Sequence, residues 1–165
     1  MKSDATHQIR RAVPADASAI ADVLCAAFNE YRPLYTDEGF AATVLNVERV
    51  RHRMHEGPVW VALQNGVVVA TVAAVVKVES VYIRGMAAVP AARGSGLGTA
   101  LLHCVEDWAT AQGYTRLFLS TTPFLDSAIA LYERYGFCRT DEGLKDLHGT
   151  PLFTMEKKLP TRIKK

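Results

Sequence analysis

Apolar positions at Ala19, Ile20, Val23, Leu24, Ala27 and Phe28 recur at the spacing of one helical face. Asp16 stands where an N-cap residue would start that helix. Ahead of it, His7 to Arg11 alternates weakly and stops before Pro14, which predicts a short first strand. Tyr31-Arg32-Pro33-Leu34-Tyr35 breaks the helix, and a second helical stretch in two pieces is predicted from Asp37 to Met54, ending at Gly57-Pro58. Two apolar runs follow, Val59 to Leu63 and Val67 to Val76, on either side of Gln64-Asn65-Gly66. Asn-Gly supplies the positive φ angles of a tight hairpin turn, so both runs are strands. Another turn spans Lys77 to Ser80, and Val81 to Val89 is a third long strand interrupted by Gly85.

Leu97, Leu101, Leu102, Val105 and Trp108 line one face of a helix predicted over Leu97 to Ala111. A strand at Leu117 to Ser120, a helix at Ser127 to Tyr135 and strands at Phe137 to Thr140 and Leu152 to Leu159 complete the order. Antiparallel hairpins combined with strand–helix–strand crossovers predict a mixed α/β fold, a central mixed β-sheet with helices on both faces.

The 165 residues fit one domain, expected over 1–160, followed by a short basic tail at 161–165. A formal charge of +2 is too small to point to nucleic acid or an anionic membrane as partner. Cys25, Cys104 and Cys138 form no close-spaced pair and sit among apolar neighbours, which predicts small buried side chains in a reducing compartment. Met1 to His7 is polar and lacks the apolar core of a secretion signal, and the run from Val67 to Val76 is far shorter than a membrane span. The expected location is the cytoplasm.

The most informative stretch is Val89-Pro90-Ala91-Ala92-Arg93-Gly94-Ser95-Gly96-Leu97-Gly98-Thr99. A strand ends, proline turns the chain, and three glycines open an amphipathic helix. Glycine lacks the Cβ that would hold a bulky anion off the backbone. The first N–H groups of the helix have no internal partner, and its dipole adds partial positive charge. The combination suits a phosphate group. It is neither a dinucleotide G-x-G-x-x-G, because Thr99 stands at the last glycine's place, nor a P-loop, because the lysine is missing. Spacing alone also fits glycines that only make a tight turn.

A second stretch reads Ala128-Ile129-Ala130-Leu131-Tyr132-Glu133-Arg134-Tyr135-Gly136-Phe137. Ala128, Leu131 and Tyr135 share a helical face, and Gly136 suits a left-handed C-terminal cap. Tyr132 borders that face, so its ring can pack while its hydroxyl reaches a cleft; a purely packing role fits its position equally.

In this order, and about thirty residues apart, the two stretches resemble the GNAT superfamily of N-acetyltransferases. Arg93, Gly96 and Gly98 match the family's Arg/Gln-x-x-Gly-x-Gly/Ala signature. Ala128, Ile129, Leu131, Tyr132, Gly136 and Phe137 match its later Ala-Ile-x-Leu-Tyr-x-x-x-Gly-Phe signature, and the element order agrees from about residue 7 to 159. The resemblance implies acetyl-CoA as co-substrate, its pyrophosphate held by backbone amides of Arg93, Gly94, Ser95, Gly96, Leu97, Gly98 and Thr99. It also implies a pantetheine arm bonded like an added strand along Met86, Ala87 and Ala88, opened by a bulge at Gly85. Tyr132 takes the place of the tyrosine that protonates the departing thiolate. Leu125 stands where the family often has an asparagine that contacts the cofactor arm.

Acetyl transfer to a primary amine requires the amine to lose a proton, the developing oxyanion to meet N–H donors, and the thiolate to receive a proton. Direct attack needs neither a metal nor an enzyme nucleophile. For the base, Tyr82 occupies the fourth-strand position where some relatives carry glutamate, Glu79 is the nearest carboxylate, and water remains a further acceptor. Arg84 shares the strand face of Tyr82 and can meet an acidic group on the acceptor, or be an ordinary solvated arginine. His52 and His55 lack the companions of a metal site. Between the first strand and the hairpin, Phe28, Tyr31, Tyr35 and Phe40 suggest a partly apolar acceptor, while Arg49, Arg51 and Arg53 read as a solvated face. The leading expectation is a small-molecule amine acceptor. A protein or peptide acceptor, and a non-catalytic acyl-CoA sensor, are the alternatives. A homodimer is compatible with the family, though no interface is legible.

Overall fold

A computed structural model describes residues 7–143 and 145–160; the basic tail at 161–165 lies outside them. The strands are β1 (His7–Arg11), β2 (Val59–Gln64), β3 (Val67–Lys77), β4 (Ser80–Ala88), β5 (Arg116–Thr121), β6 (Cys138–Arg139), β7 (Lys145–Leu147) and β8 (Thr150–Lys158). The helices are α1 (Ala17–Phe28), α2 (Asp37–Thr43), α3 (Val47–Glu56), α4 (Leu97–Ala111) and α5 (Asp126–Tyr135). The sheet runs β1-β2-β3-β4-β5-β8-β6, with β7 paired to β8. Among the described residues only β4 and β5 pair in parallel, joined through α4; the other pairings are antiparallel. This is the mixed sheet that the alternation of hairpins and crossovers predicts.

Strand alternation sends side chains to two cores. Trp60 and Ala62 pack with Leu101, Leu102 and Val105 of α4, whereas Val59, Val61 and Leu63 pack with Val23 and Leu24 of α1 and Val50 of α3. Helices therefore cover both faces. Each fully buried Leu of these cores stabilises the fold by about 1.5–3 kcal/mol. Asn65 and Gly66 form the two-residue turn between Gln64 and Val67, with φ of 53° and 81°.

Four local expectations are corrected. Asp16 does not cap α1; it ends a 3-10 turn, accepts the Val13 N–H at 2.8 Å and pairs with Arg10 at 2.7 Å, which holds its carboxyl below the usual range. Cys25 and Cys138 are exposed and Cys104 half-buried, because the first two lie on outward positions of α1 and of edge strand β6. The hairpin of β7 and β8 has no apolar alternation to announce it. His148 and Gly149 make its turn with φ of 50° and 94°, and Thr36 at the start of α2 docks it, its hydroxyl donating to the His148 carbonyl at 2.7 Å and its backbone N–H donating to Thr150 Oγ1 at 3.0 Å. Arg53 is not on a solvated face, as described below.

At Gly57 the chain passes so close to β3 that an added Cβ would lie 2.0 Å from the Ala74 carbonyl oxygen. The obstacle is backbone in mid-sheet, so it cannot swing aside. Gly57→Ala is expected to destabilise by about 1–3 kcal/mol and lower Tm by roughly 3–10 °C, measured by thermal unfolding.

Candidate active site

Parallel pairing of β4 with β5 runs from Ser80↔Arg116 to Ile83↔Leu119 and stops. Beyond it, β4 continues to Ala88 while Ser120 and Thr121 of β5 turn to β8. The cause is a bulge: Thr71↔Ala87 is followed by Ala73↔Arg84, so two steps on β3 face three on β4. Gly85 takes the φ of +62° that the extra residue requires. The strands part, and Met86 to Ala88 present an unpaired edge to a cleft of about 580 Å³.

At one end of the cleft is the glycine turn. Gly94 and Gly96 have φ of 78° and 82°, and Gly96 caps α4 without a side-chain bond. Among the described residues, no turn, loop or cap bond engages the N–H groups of Gly94 to Thr99. The glycines have different reasons to be glycine. A Cβ at Gly94 or Gly96 would meet nothing within 4 Å, so backbone conformation is what excludes other residues there. At Gly98 an added Cβ would lie 2.7 Å from Leu131, so that glycine lets α5 pack on α4. The turn is tethered through Arg93, whose guanidinium binds the Glu30 carboxylate and donates to the Ala27 carbonyl at the end of α1 at 2.9 Å. Ser95 turns its hydroxyl back to the Ala92 carbonyl and does not line the cleft, unlike Arg93, Gly94 and residues 96–99.

Tyr132 reaches the cleft from α5. It is 6 % exposed, packed at 5.9 Å against the Phe137 ring, and burial pushes its phenol up, with Tyr82 and Tyr35 acting in the same direction. It stays protonated throughout the neutral range. Tyr82 lines the cleft half-buried, 5.1 Å from the Phe118 ring. Glu79 is elsewhere. It occupies the β3–β4 turn with φ of 56° and is not among the cleft-lining residues; the six residue steps from it to Gly85 span about 20 Å of strand. Its side chain thus stands outside the cleft lining, unlike that of Tyr82. Leu125 lines the cleft at the start of α5 and supplies no side-chain cap.

Other residues join the site. Ser120, Thr121 and Thr122 line it where β5 turns away; a run of three hydroxyl residues at a strand end is the signal that was available. Tyr31 and Tyr35 form a wall, with Tyr35 edge-on to Phe124 at 4.9 Å. Arg53 comes from α3 and Arg84 from β4. Burial, then the charge of Arg84, lowers the pKa of Arg53 to about 10. No Asp, Glu or His lines the cleft among the described residues. No helix is long and apolar enough to cross a membrane among them.

The site is thus a mixed sheet split between two parallel strands, with bare amides beside the split. The profile of the Acetyltransferase (GNAT) family matches residues 20–137, and the chain belongs to that family. It is 34% identical over 143 residues to the uncharacterized N-acetyltransferase YjgM of Escherichia coli, covering 82% of this chain and 84% of that protein. The fold is similar to that of the PaiA N-acetyltransferase from Thermoplasma acidophilum in complex with coenzyme A, with a TM-score of 0.77 and 16% identity over 93% of this chain and 99% of that one. It is likewise similar to the ribosomal-protein-S18-alanine N-acetyltransferase from Escherichia coli, with a TM-score of 0.77 and 19% identity over 96% and 97% of the two chains.

Proposed function

We propose that this acyltransferase moves the acetyl group of acetyl-CoA to a small primary amine by direct attack. The observation that carries the reading is the juxtaposition of unengaged amides at 94–99 with the unpaired edge of Met86 to Ala88. The turn suits a diphosphate; the free edge suits an extended arm that bonds like a strand. When bound, acetyl-CoA supplies an activated acetyl thioester.

The residues divide the work as follows. Backbone N–H groups beside the bulge hold the charge that develops on the acetyl oxygen. Tyr132 donates its proton to the leaving sulfur as the carbon–sulfur bond breaks and the carbon–nitrogen bond forms. Arg53 and Arg84 disfavour an ammonium ion beside them, so the amine attacks as free base. Its surplus proton leaves to water alongside Tyr82, and water restores the proton of Tyr132. Net transfer gives an amide and a free thiol.

A small acceptor is favoured over a peptide because the β7–β8 hairpin, tied to α2 through Thr36, brings Leu147 into the cleft lining. The test is release of free coenzyme A from acetyl-CoA in the presence of small amines, peptides or aminoglycosides. Turnover on small amines is expected. Tight acetyl-CoA binding with no product across the whole panel would contradict the assignment and leave an acyl-CoA sensor.

A further inference from the structure

Two guanidinium groups, of Arg53 and Arg84, meet at the bulge, and the Glu56 carboxylate pairs with Arg84. A Cβ built on Gly85 would lie 2.7 Å from Arg53 Nη1, so Arg53 rests on the bulge itself. Arg84 is the preceding residue of β4, and its Nε and Nη2 atoms are buried without a hydrogen-bond partner. The nearest acid is Glu56, whose Oε1 lies 3.0 Å from Arg84 Nη2 but off the line of a hydrogen bond, on a side chain that is 42% exposed. On the far side of the pair is a smaller depression of about 390 Å³ that shares Arg53 and Arg84 with the cleft. It adds Arg49 and His52 against Glu48 and Glu56, so it offers no spare negative charge.

Buried like charges with unmade hydrogen bonds are costly, and a protein retains them where a ligand brings the missing anion. Buried positions for an arginine fork suit a planar carboxylate. The anion also has to lie close to the reacting nitrogen, since Arg53 touches the bulge beside which the acetyl group is to be held. A carboxylate on the carbon bearing the amine meets that demand. The same cleft is lined by the aromatic rings of Phe28, Tyr31 and Tyr35.

We infer that the acceptor is an amino carboxylate, a free amino acid or close analogue, whose carboxylate is held by Arg84 and Arg53 while its apolar side chain lies against the Tyr31–Tyr35 wall. This rests on the proposed acetyltransferase activity and narrows its substrate class. Arg84 is then a substrate-binding residue, and Glu56 positions it.

The experiment pairs free amino acids carrying apolar side chains with the amines left by removing their carboxylates. For each pair, kcat/KM is measured by coenzyme A release, and binding to the enzyme–coenzyme A complex is measured by calorimetry. In the native protein the amino acid is expected to be favoured at least tenfold in kcat/KM, about the effect of one hydrogen bond to a charged group. Arg84→Gln is expected to erase that preference, mostly through KM for the amino acid, while affinity for coenzyme A is kept. Because coenzyme A binding is measured in the same preparation, misfolding of the variant is recognised directly; Arg53→Lys gives a second, milder test. Equal kcat/KM for both members of each pair, or a preference that survives in Arg84→Gln, overturns the inference and leaves the acetyltransferase reading standing. Amino acids that bind in an Arg84-dependent manner but are never acetylated keep the anion site and overturn the activity. Absence of both binding and turnover for every amino acid tested overturns the inference.

Discussion

Tyr132→Phe is expected to lower kcat by about 10²- to 10³-fold, the range for loss of a well-positioned general acid, with acetyl-CoA affinity unchanged. The substitution removes one oxygen from a buried ring and leaves its contact with Phe137 intact. Burial keeps the phenol protonated, so it has a proton to give at neutral pH. It is also reluctant to be a lasting phenolate, which ties its proton loss to the moment when the sulfur becomes the stronger base. Single-turnover rates and calorimetric titration separate the two effects. An unchanged kcat would remove Tyr132 from the chemistry and leave it as a packing residue.

The double variant Gly94→Ala, Gly96→Ala is expected to weaken acetyl-CoA binding by about 30- to 1000-fold. Each left-handed position costs an alanine roughly 1–2 kcal/mol, and two such costs correspond to that range. The turn is exposed and an added Cβ touches nothing, so no packing holds it in the native shape. It relaxes in the free protein, and binding then has to restore it. Thermal unfolding is expected to change little, while the Kd from calorimetry rises. A Kd that stays at the native value would show that these amides do not carry the binding.

Much of the fold is legible in the chain because periodicity and turn chemistry agree. The α4 stripe from Leu97 to Trp108 and the Asn65-Gly66 hairpin each have one consistent reading, and both form as the pattern requires. The β7–β8 hairpin is illegible for the opposite reason. Lys145 to Leu147 has no alternation, and the pairing depends on Thr36, more than a hundred residues away in sequence. Asp16 misleads because an acceptor just before a helix can serve the turn behind it as well as the helix ahead.

The site divides along the same line. Glycines that need a positive φ are local requirements, and Gly94, Gly96 and Gly85 show themselves as such. Charges are different, since the fold decides whether an arginine is solvated. Arg49 and Arg51 are exposed, but Arg53 follows buried Val50 by three residues and so turns inward with it. That spacing was the signal. That Glu79 lies outside the cleft lining was readable by counting strand positions to Gly85.

The most direct measurement is a structure of the protein with coenzyme A bound. The pyrophosphate oxygens are expected within about 3 Å of the amides of residues 94–99, the arm along Met86 to Ala88, and the sulfur beside the Tyr132 hydroxyl. Coenzyme A seated elsewhere, with those amides facing only solvent and the split between β4 and β5 empty, would contradict the assignment of the cleft.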